Sequence, residues 1–231
     1  MIHKSYTRKI SSACNFSIME YKLITEERFD DVVRHLRDSF FADEPLNKAA
    51  GLCCKGLGNR ELEQHSYETL EDHLSLMAVD ENDEIAGVIL NGVLLPGDIK
   101  SAQKKLELSD DENFKKIFQL LYSHNQKVNI FERFNVDKAF DVRILSVDGR
   151  FRGQGIAKEL VRRSEQVARD FEFKLMKADA TGIFSQKILK SNGFELLIEQ
   201  YYNKYTDEFG YPVLNVESPH IKLQLLYKYL D

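Results

Sequence analysis

Apolar positions in this chain follow two spacings, and their alternation predicts mixed α and β structure. Strand-like runs fall at residues 18–24, 74–80, 85–95, 138–147, 173–178, 194–205 and 221–229. Helical runs lie between them. Phe29, Val32, Val33, Leu36 and Phe40 share one face, after a start signal in which Thr25 precedes Glu26 and Glu27. Residues 61–73 read as a charged helix. From 156 to 171, Ile156, Leu160, Ser164, Val167, Ala168 and Phe171 share one face, while Lys158, Glu159, Arg162, Arg163 and Glu165 share the other. A last helix starts at 181–185 and ends near Asn192-Gly193, a suitable left-handed cap. Residues 101–135 carry few strand signals, and Phe114, Ile117, Phe118 and Leu121 suggest a helix inside an insertion between the third and fourth strands. The order fits the α/β (α+β) class, with one mainly antiparallel sheet flanked by helices.

Composition narrows the class. With 231 residues and 43% hydrophobic content, one domain over 18–231 with a substantial core is expected. Residues 1–17 are basic and polar, and read as a loosely held extension or an extra edge element. A net charge of −5 argues against a nucleic-acid surface and suits a cationic substrate. Cys14, Cys53 and Cys54 have no metal-ligand spacing, so reduced thiols in a cytoplasmic protein are expected, with no metal. No long apolar run suggests a membrane span or signal peptide. A monomer is expected.

The stretch from Phe140 to Phe171 carries the chemistry. The apolar segment from Val142 to Val147 leads through Asp148-Gly149-Arg150-Phe151 into Arg152-Gly153-Gln154-Gly155-Ile156-Ala157, where a helix begins. The first turn of a helix has unpaired N–H groups and the positive end of the helix dipole, so it attracts anions. Gly153 and Gly155 have no Cβ to hold a phosphate off the backbone. Arg152 adds a permanent charge that can bind a phosphate bidentately. The loop reads as a pyrophosphate cradle, or as an ordinary strand–helix turn with surface arginines. It lacks the Gly-Lys-Ser/Thr of a P-loop. Arg152 and Gln154 break the spacing of a dinucleotide fingerprint, and Asp179 sits only loosely at its acidic position.

The loop resembles the coenzyme-A loop of the GNAT acetyltransferase superfamily, whose pattern is Gln/Arg-x-x-Gly-x-Gly/Ala. Ser191-Asn192-Gly193-Phe194 followed by a strand is similar to that family's closing signature. Phe40-Phe41-Ala42-Asp43-Glu44-Pro45-Leu46-Asn47 resembles a segment of insect-type arylalkylamine N-acetyltransferases. The resemblance runs from about Met19 to the C-terminus. It implies a GNAT fold, with a V-shaped opening between the central strands of the sheet. It also implies acetyl-CoA as co-substrate, and a small amine of the dopamine, serotonin, octopamine or tryptamine type as acceptor. Agmatine, a polyamine or another aliphatic amine is the nearest alternative; a CoA-binding protein without turnover is a further one.

The chemistry needs a base, because a free alkylamine has a pKa near ~10 and arrives protonated. Glu44, after two phenylalanines and before a proline, reads as a loop carboxylate whose apolar neighbours can raise its pKa, or as a solvated loop acid. The resemblance implies that it is the catalytic glutamate, with Asp43 and Pro45 beside the substrate. It further implies that backbone N–H groups among Leu145, Ser146 and Val147 serve the thioester oxygen. The tyrosine that many GNAT enzymes place before the Gly-Phe aligns with Leu189 and is missing. Thr181 and Ser185 align with hydroxyls of the insect enzymes, and read as proton donors or as helix-start caps. His220 reads as a substrate contact or relay, or as a polar residue at a strand entry. Tyr201, Tyr202 and Tyr205 read as aromatic surface near the substrate or as sheet packing.

Overall fold

The computed structural model describes residues 19–231, so the expected extension over 1–17, with Cys14, lies outside the described residues. Among these, the alternating segments become seven strands: β1 (Glu20–Leu23), β2 (Leu76–Val79), β3 (Ile85–Leu94), β4 (Ala139–Val147), β5 (Leu175–Ala180), β6 (Glu195–Tyr201) and β7 (Lys222–Tyr229). The helices are α1 (Phe29–Ser39), α2 (Pro45–Ala50), α3 (Arg60–Leu70), α4 (Asp98–Leu106), α5 (Glu112–Asn125), α6 (Ile130–Phe134), α7 (Ile156–Asp170) and α8 (Ile183–Ser191). The strands form one sheet in the order β1-β2-β3-β4-β5-β7-β6. Only the β4–β5 pair is parallel.

The period-two pattern sorts side chains to the two faces of the sheet. Met77 and Val79 of β2 join Val32 and Leu36 of α1, Leu62 and Leu70 of α3, and Ile117 of α5 in one core. Leu76 and Ala78 join Ile156, Leu160 and Ala168 of α7 and Leu189 of α8 in the other.

Three sequence expectations need correction. The strand expected over 194–205 stops at Tyr201, and Tyr202–Lys204 form a 3-10 turn. The reason is the partner: Tyr201 pairs with Lys222, where β7 begins, and past it one bond, from the Tyr202 N–H to the Ile221 carbonyl, closes the ladder. The insertion starts at Asp98 and holds three helices. Helix α4 has too few apolar residues, chiefly Ile99 and Leu106, to show a stripe. Phe171 lies just past α7 and is half exposed, outside the apolar face.

The central feature is a split in the sheet. β4 and β5 pair only through Phe140↔Met176, Asp141↔Lys177 and Val142↔Ala178. Beyond Val142, β4 follows β3 as far as Val147, while β5 follows β7. The β3–β4 register slips at the same level. Asn91 faces Val142 and Leu90 faces Ile144, which leaves Arg143 as a bulge. A bulge bends and twists its strand, so β4 turns where the two arms part. This is the V-shaped opening.

A buried charge cluster sits at the vertex. Lys177 Nζ lies 3.2 Å from Asp141 Oδ1 and 2.7 Å from Asp179 Oδ2, with Asn125 Oδ1 at 3.0 Å. Arg143 donates to Asp141, to the Thr69 hydroxyl and to the Val93 carbonyl. Gly92 makes room for it, because a Cβ there would lie 2.5 Å from the guanidinium carbon. Burial alone would push the Asp141 carboxyl up, but Lys177 and Arg143 outweigh it and hold the group below its usual range. Burial likewise opposes the Lys177 charge, and Asp141 and Asp179 overcome it. Removing one partner strands the others in a medium that solvates them poorly. Lys177→Ala should therefore cost about 3–5 kcal/mol of stability, read from urea unfolding at pH 7. A loss under about 1 kcal/mol would show that the cluster does not hold the vertex.

Candidate active site

The split opens into a cleft of about 1110 Å³. Its walls come from the α1–α2 connection, the free end of β4, the glycine loop, the end of β5 with the start of α8, and residues 215–220. Glu44, Asp43, Pro45, Leu145, Ser146, Val147, Arg152, Gly153, Gly155, Ile156, Ala157, Thr181, Ser185 and His220 all lie on it. Gln154 does not; it is exposed on the outside of its loop.

Glu44 extends the sequence reading. It is the last residue of the α1–α2 connection, as expected, but it is also the N-cap of the six-residue helix α2, with Pro45 at the first helical position. Its Oε2 accepts from the N–H groups of Leu46 and Asn47, at 2.9 and 2.7 Å. Helix α2 is held in turn by Asn47 Nδ2, which donates to the carbonyl of the fully buried Phe41. A six-residue helix is too short for periodicity to reveal, and Glu is not a preferred N-cap. The acid before Pro-Leu-Asn was the available signal. Burial pushes the Glu44 carboxyl up; the Thr181 hydroxyl and the two capping amides pull the other way without cancelling it. The hydroxyl is near enough to favour the charged form but does not reach full hydrogen-bond geometry. Oε1 is therefore a buried oxygen with no partner among the described residues.

Thr181 is placed by Tyr202, whose hydroxyl donates to the Thr181 carbonyl at 2.6 Å. None of Tyr201, Tyr202 and Tyr205 lines the cleft: Tyr202 and Tyr205 pack against the core, and Tyr201 is exposed on β6. Tyr202 is 4% exposed and orients Thr181 from behind. Gly182 follows, and a Cβ there would stand 3.1 Å from His220 Nδ1 and 3.2 Å from Pro45 Cγ. A side chain here would press on both, and glycine leaves the α8 start close to each. His220 Nδ1 accepts the Ile183 N–H at 3.2 Å, so the neutral ring carries its proton on Nε2. Burial, then the charge of Lys48, lowers its pKa. Ser185 Oγ donates to the Gly182 carbonyl at 2.9 Å, a first-turn bond that uses its one proton. Leu189, at the position of the missing tyrosine, supplies only an apolar wall.

The opposite wall is anchored from behind. His35 Nε2 and Ser146 Oγ are 3.0 Å apart and both are buried, so Ser146 turns its side chain towards α1 and offers the cleft only backbone. Burial pushes the His35 imidazole down to about 4, so it is neutral near pH 7. After β4, Gly153 and Gly155 both have φ of 81°, which strains any other residue. A Cβ on either would meet nothing within 4 Å. Gly155 caps α7 without a side-chain bond, so the N–H groups of the first turn are left to a ligand. Arg152 donates to the Val147 carbonyl and lies 3.7 Å from Asp43 across the mouth. The open cradle fits the pyrophosphate of coenzyme A. Gly155→Glu should weaken acetyl-CoA binding at least ~10-fold in isothermal titration, by removing a charge-favoured approach. Equal affinity in a folded variant would move the phosphates elsewhere.

The acetyltransferase (GNAT) family model matches residues 44–194. Among solved structures, arylalkylamine N-acetyltransferase 2 from Aedes aegypti is 49% identical, with a TM-score of 0.90 over 92% of this chain and 99% of that one. Mosquito arylalkylamine N-acetyltransferase like 5b is 20% identical, with a TM-score of 0.83 over 92% of this chain and 100% of that one. A Drosophila melanogaster polyamine N-acetyltransferase that forms N-acetylagmatine is 19% identical, with a TM-score of 0.83 over the same shares. At those identities the last two share the fold. The split sheet, the glycine cradle and the Asp-Glu-Pro segment agree with these matches: the chain belongs to the GNAT acetyltransferase family, with the insect-type arylalkylamine N-acetyltransferases, and is an acyltransferase.

Proposed function

We propose that the cleft transfers the acetyl group of acetyl-CoA directly to the primary amine of an arylalkylamine of the dopamine, serotonin, octopamine or tryptamine class. The observation that carries this reading is the division of labour within Glu44. One oxygen is fixed by two helix amides and the other is unpartnered, in the same cleft as the glycine cradle. A base must be both held still and left with a free lone pair. The apolar wall made by Phe40, Phe184, Ile188 and Val216 suits an aromatic tail.

The thioester supplies an already activated acyl group. The acceptor nitrogen arrives protonated and gives a proton to Glu44, directly or through a water. The nitrogen then attacks the thioester carbon. The C–N bond forms, and the carbonyl oxygen gains charge near the backbone N–H groups of Leu145 to Val147. The C–S bond breaks and the thiolate leaves; the attacking nitrogen sheds its remaining extra proton and the thiolate takes one up, so the amide and the free thiol both end neutral. Ser185 or Thr181 is positioned to assist, Ser185 only after leaving the Gly182 carbonyl. Raised burial-driven basicity keeps Glu44 a stronger proton acceptor than a free glutamate, at the cost of activity in acid.

Glu44→Ala should retain acetyl-CoA binding and lose at least ~10²-fold in kcat/KM, the usual worth of a positioned base. The wild-type kcat/KM should rise with pH through an apparent pKa above that of free glutamate, because the active form is the ionised one and its folded pKa is raised. A variant that keeps this limb would assign the proton to another group, with His220 the first to test. Ser185→Ala should lower kcat while leaving acetyl-CoA affinity unchanged; full turnover would leave Ser185 as a helix-start residue only.

A further inference from the structure

Four carboxylates line the cleft: Asp43, Glu44, Asp179 and Glu217. Three of them already face a cation of the chain. Asp43 lies 3.7 Å from Arg152, Asp179 2.7 Å from Lys177, and Glu217 2.7 Å from Lys48. Glu44 alone has none among the described residues. In the free cleft, therefore, Glu44 is the one carboxylate with no cation beside it among the described residues, and on the Lys48 side of the mouth no carboxylate is left free for a second charge on the same molecule.

Lys48 is the cation best placed to enforce this. It follows Glu44 by one helical turn, with its N–H bonded to the Glu44 carbonyl at 2.9 Å, so the two share a side of α2. Its ammonium reaches across the mouth to the segment that carries His220, where the His220 N–H bonds the Glu217 carbonyl at 3.0 Å. Its field extends further: Glu217 and, more weakly, Asp43 stabilise it, and it disfavours charge on His220. The Lys48–Glu217 pair is exposed, at 60% and 72%, so it adds little to stability. An exposed pair still sets the local potential that an entering ligand meets.

We infer that Lys48, by occupying Glu217 at the mouth, screens out acceptor amines that carry a second positive charge and so selects monocationic amines. The inference rests on reading Glu44 as the acceptor's base. Once its nitrogen is deprotonated, an arylalkylamine brings no further charge into the cleft. A diamine or guanidinoalkylamine keeps a cation that must leave water beside Lys48, with Glu217 already engaged. Both effects act against it.

The test compares phenethylamine with putrescine and agmatine, on the wild type, Lys48→Ala, and Lys48→Ala combined with Glu217→Gln. The readout is the ratio of kcat/KM for dication over monocation. In Lys48→Ala this ratio should rise on the order of tenfold, the effect of a unit charge a few ångströms away in a solvent-rich mouth. The gain should shrink at high salt and vanish in the double variant, where the freed carboxylate is also gone. The same amines titrated calorimetrically into the CoA-bound protein give the ratio of affinities without turnover. An unchanged ratio in Lys48→Ala by both measurements would overturn the screen. A shifted affinity ratio with no transfer to any of these amines would uphold the screen and sink instead the reading of them as acceptors with Glu44 as base.

Discussion

The buried contact between Lys177 and the two aspartates beside it sits at the point where this sheet stops being continuous. Parallel strands normally stay paired along their length, because each unpaired N–H and C=O buried without a partner is costly. Here β4 and β5 part after three residue pairs. The separation is tolerable because its vertex is tied by ions rather than by backbone alone. Asp141 belongs to β4, Asp179 to β5, and Lys177 bridges them. Arg143 then anchors the bulged β4 to α3 and β3. Above this knot the strand edges face a cleft instead of each other. Backbone groups that would have bonded another strand are available to a ligand.

The two arms then carry different tasks. The β4 arm ends in the glycine loop and α7, and is braced by His35 against α1. The β5 arm ends in Thr181 and α8, and is braced by Tyr202 and His220. Glu44 belongs to neither arm, yet Pro45 stands in contact range of where a Gly182 Cβ would be. Glu44 is thereby registered against the β5 arm through a glycine that permits close packing. None of these braces needs to touch a substrate to matter. A shift of one brace moves a reacting group, and such groups tolerate little misplacement.

Much of this was legible in the sequence where the signal is local. The glycine loop was readable because positive φ and helix initiation both impose residue types on a few adjacent positions, and Gly153 and Gly155 meet both demands. The strands were readable from alternation, and their ends were not where an end depends on a partner, as at Tyr201. Glu44 was found by its segment, but its helix was invisible, since six residues give no period. Ser146 was named for its backbone, and its side chain proved to serve His35. The pairing of Lys48 with Glu217 spans 169 positions, and nothing local marks either residue. The vertex cluster likewise joins α5, β4 and β5, and a lone buried lysine in a strand does not announce its partners.

The N-cap role of Glu44 couples proton transfer to mechanics. A charged carboxylate binds backbone N–H groups about twice as strongly as a neutral acid does. In the proposed reaction Glu44 becomes neutral when the acceptor loses its proton. Its hold on the Leu46 and Asn47 amides is then weakest just as the amide product forms. Helix α2 is short, and such a helix has little cooperativity of its own to replace a lost cap. The wall of the cleft is thus most compliant when product must leave, and stiffens again once the proton is returned to solvent. On the proposed reading, the carboxylate that takes the acceptor's proton would also time the loosening of the wall that contains it.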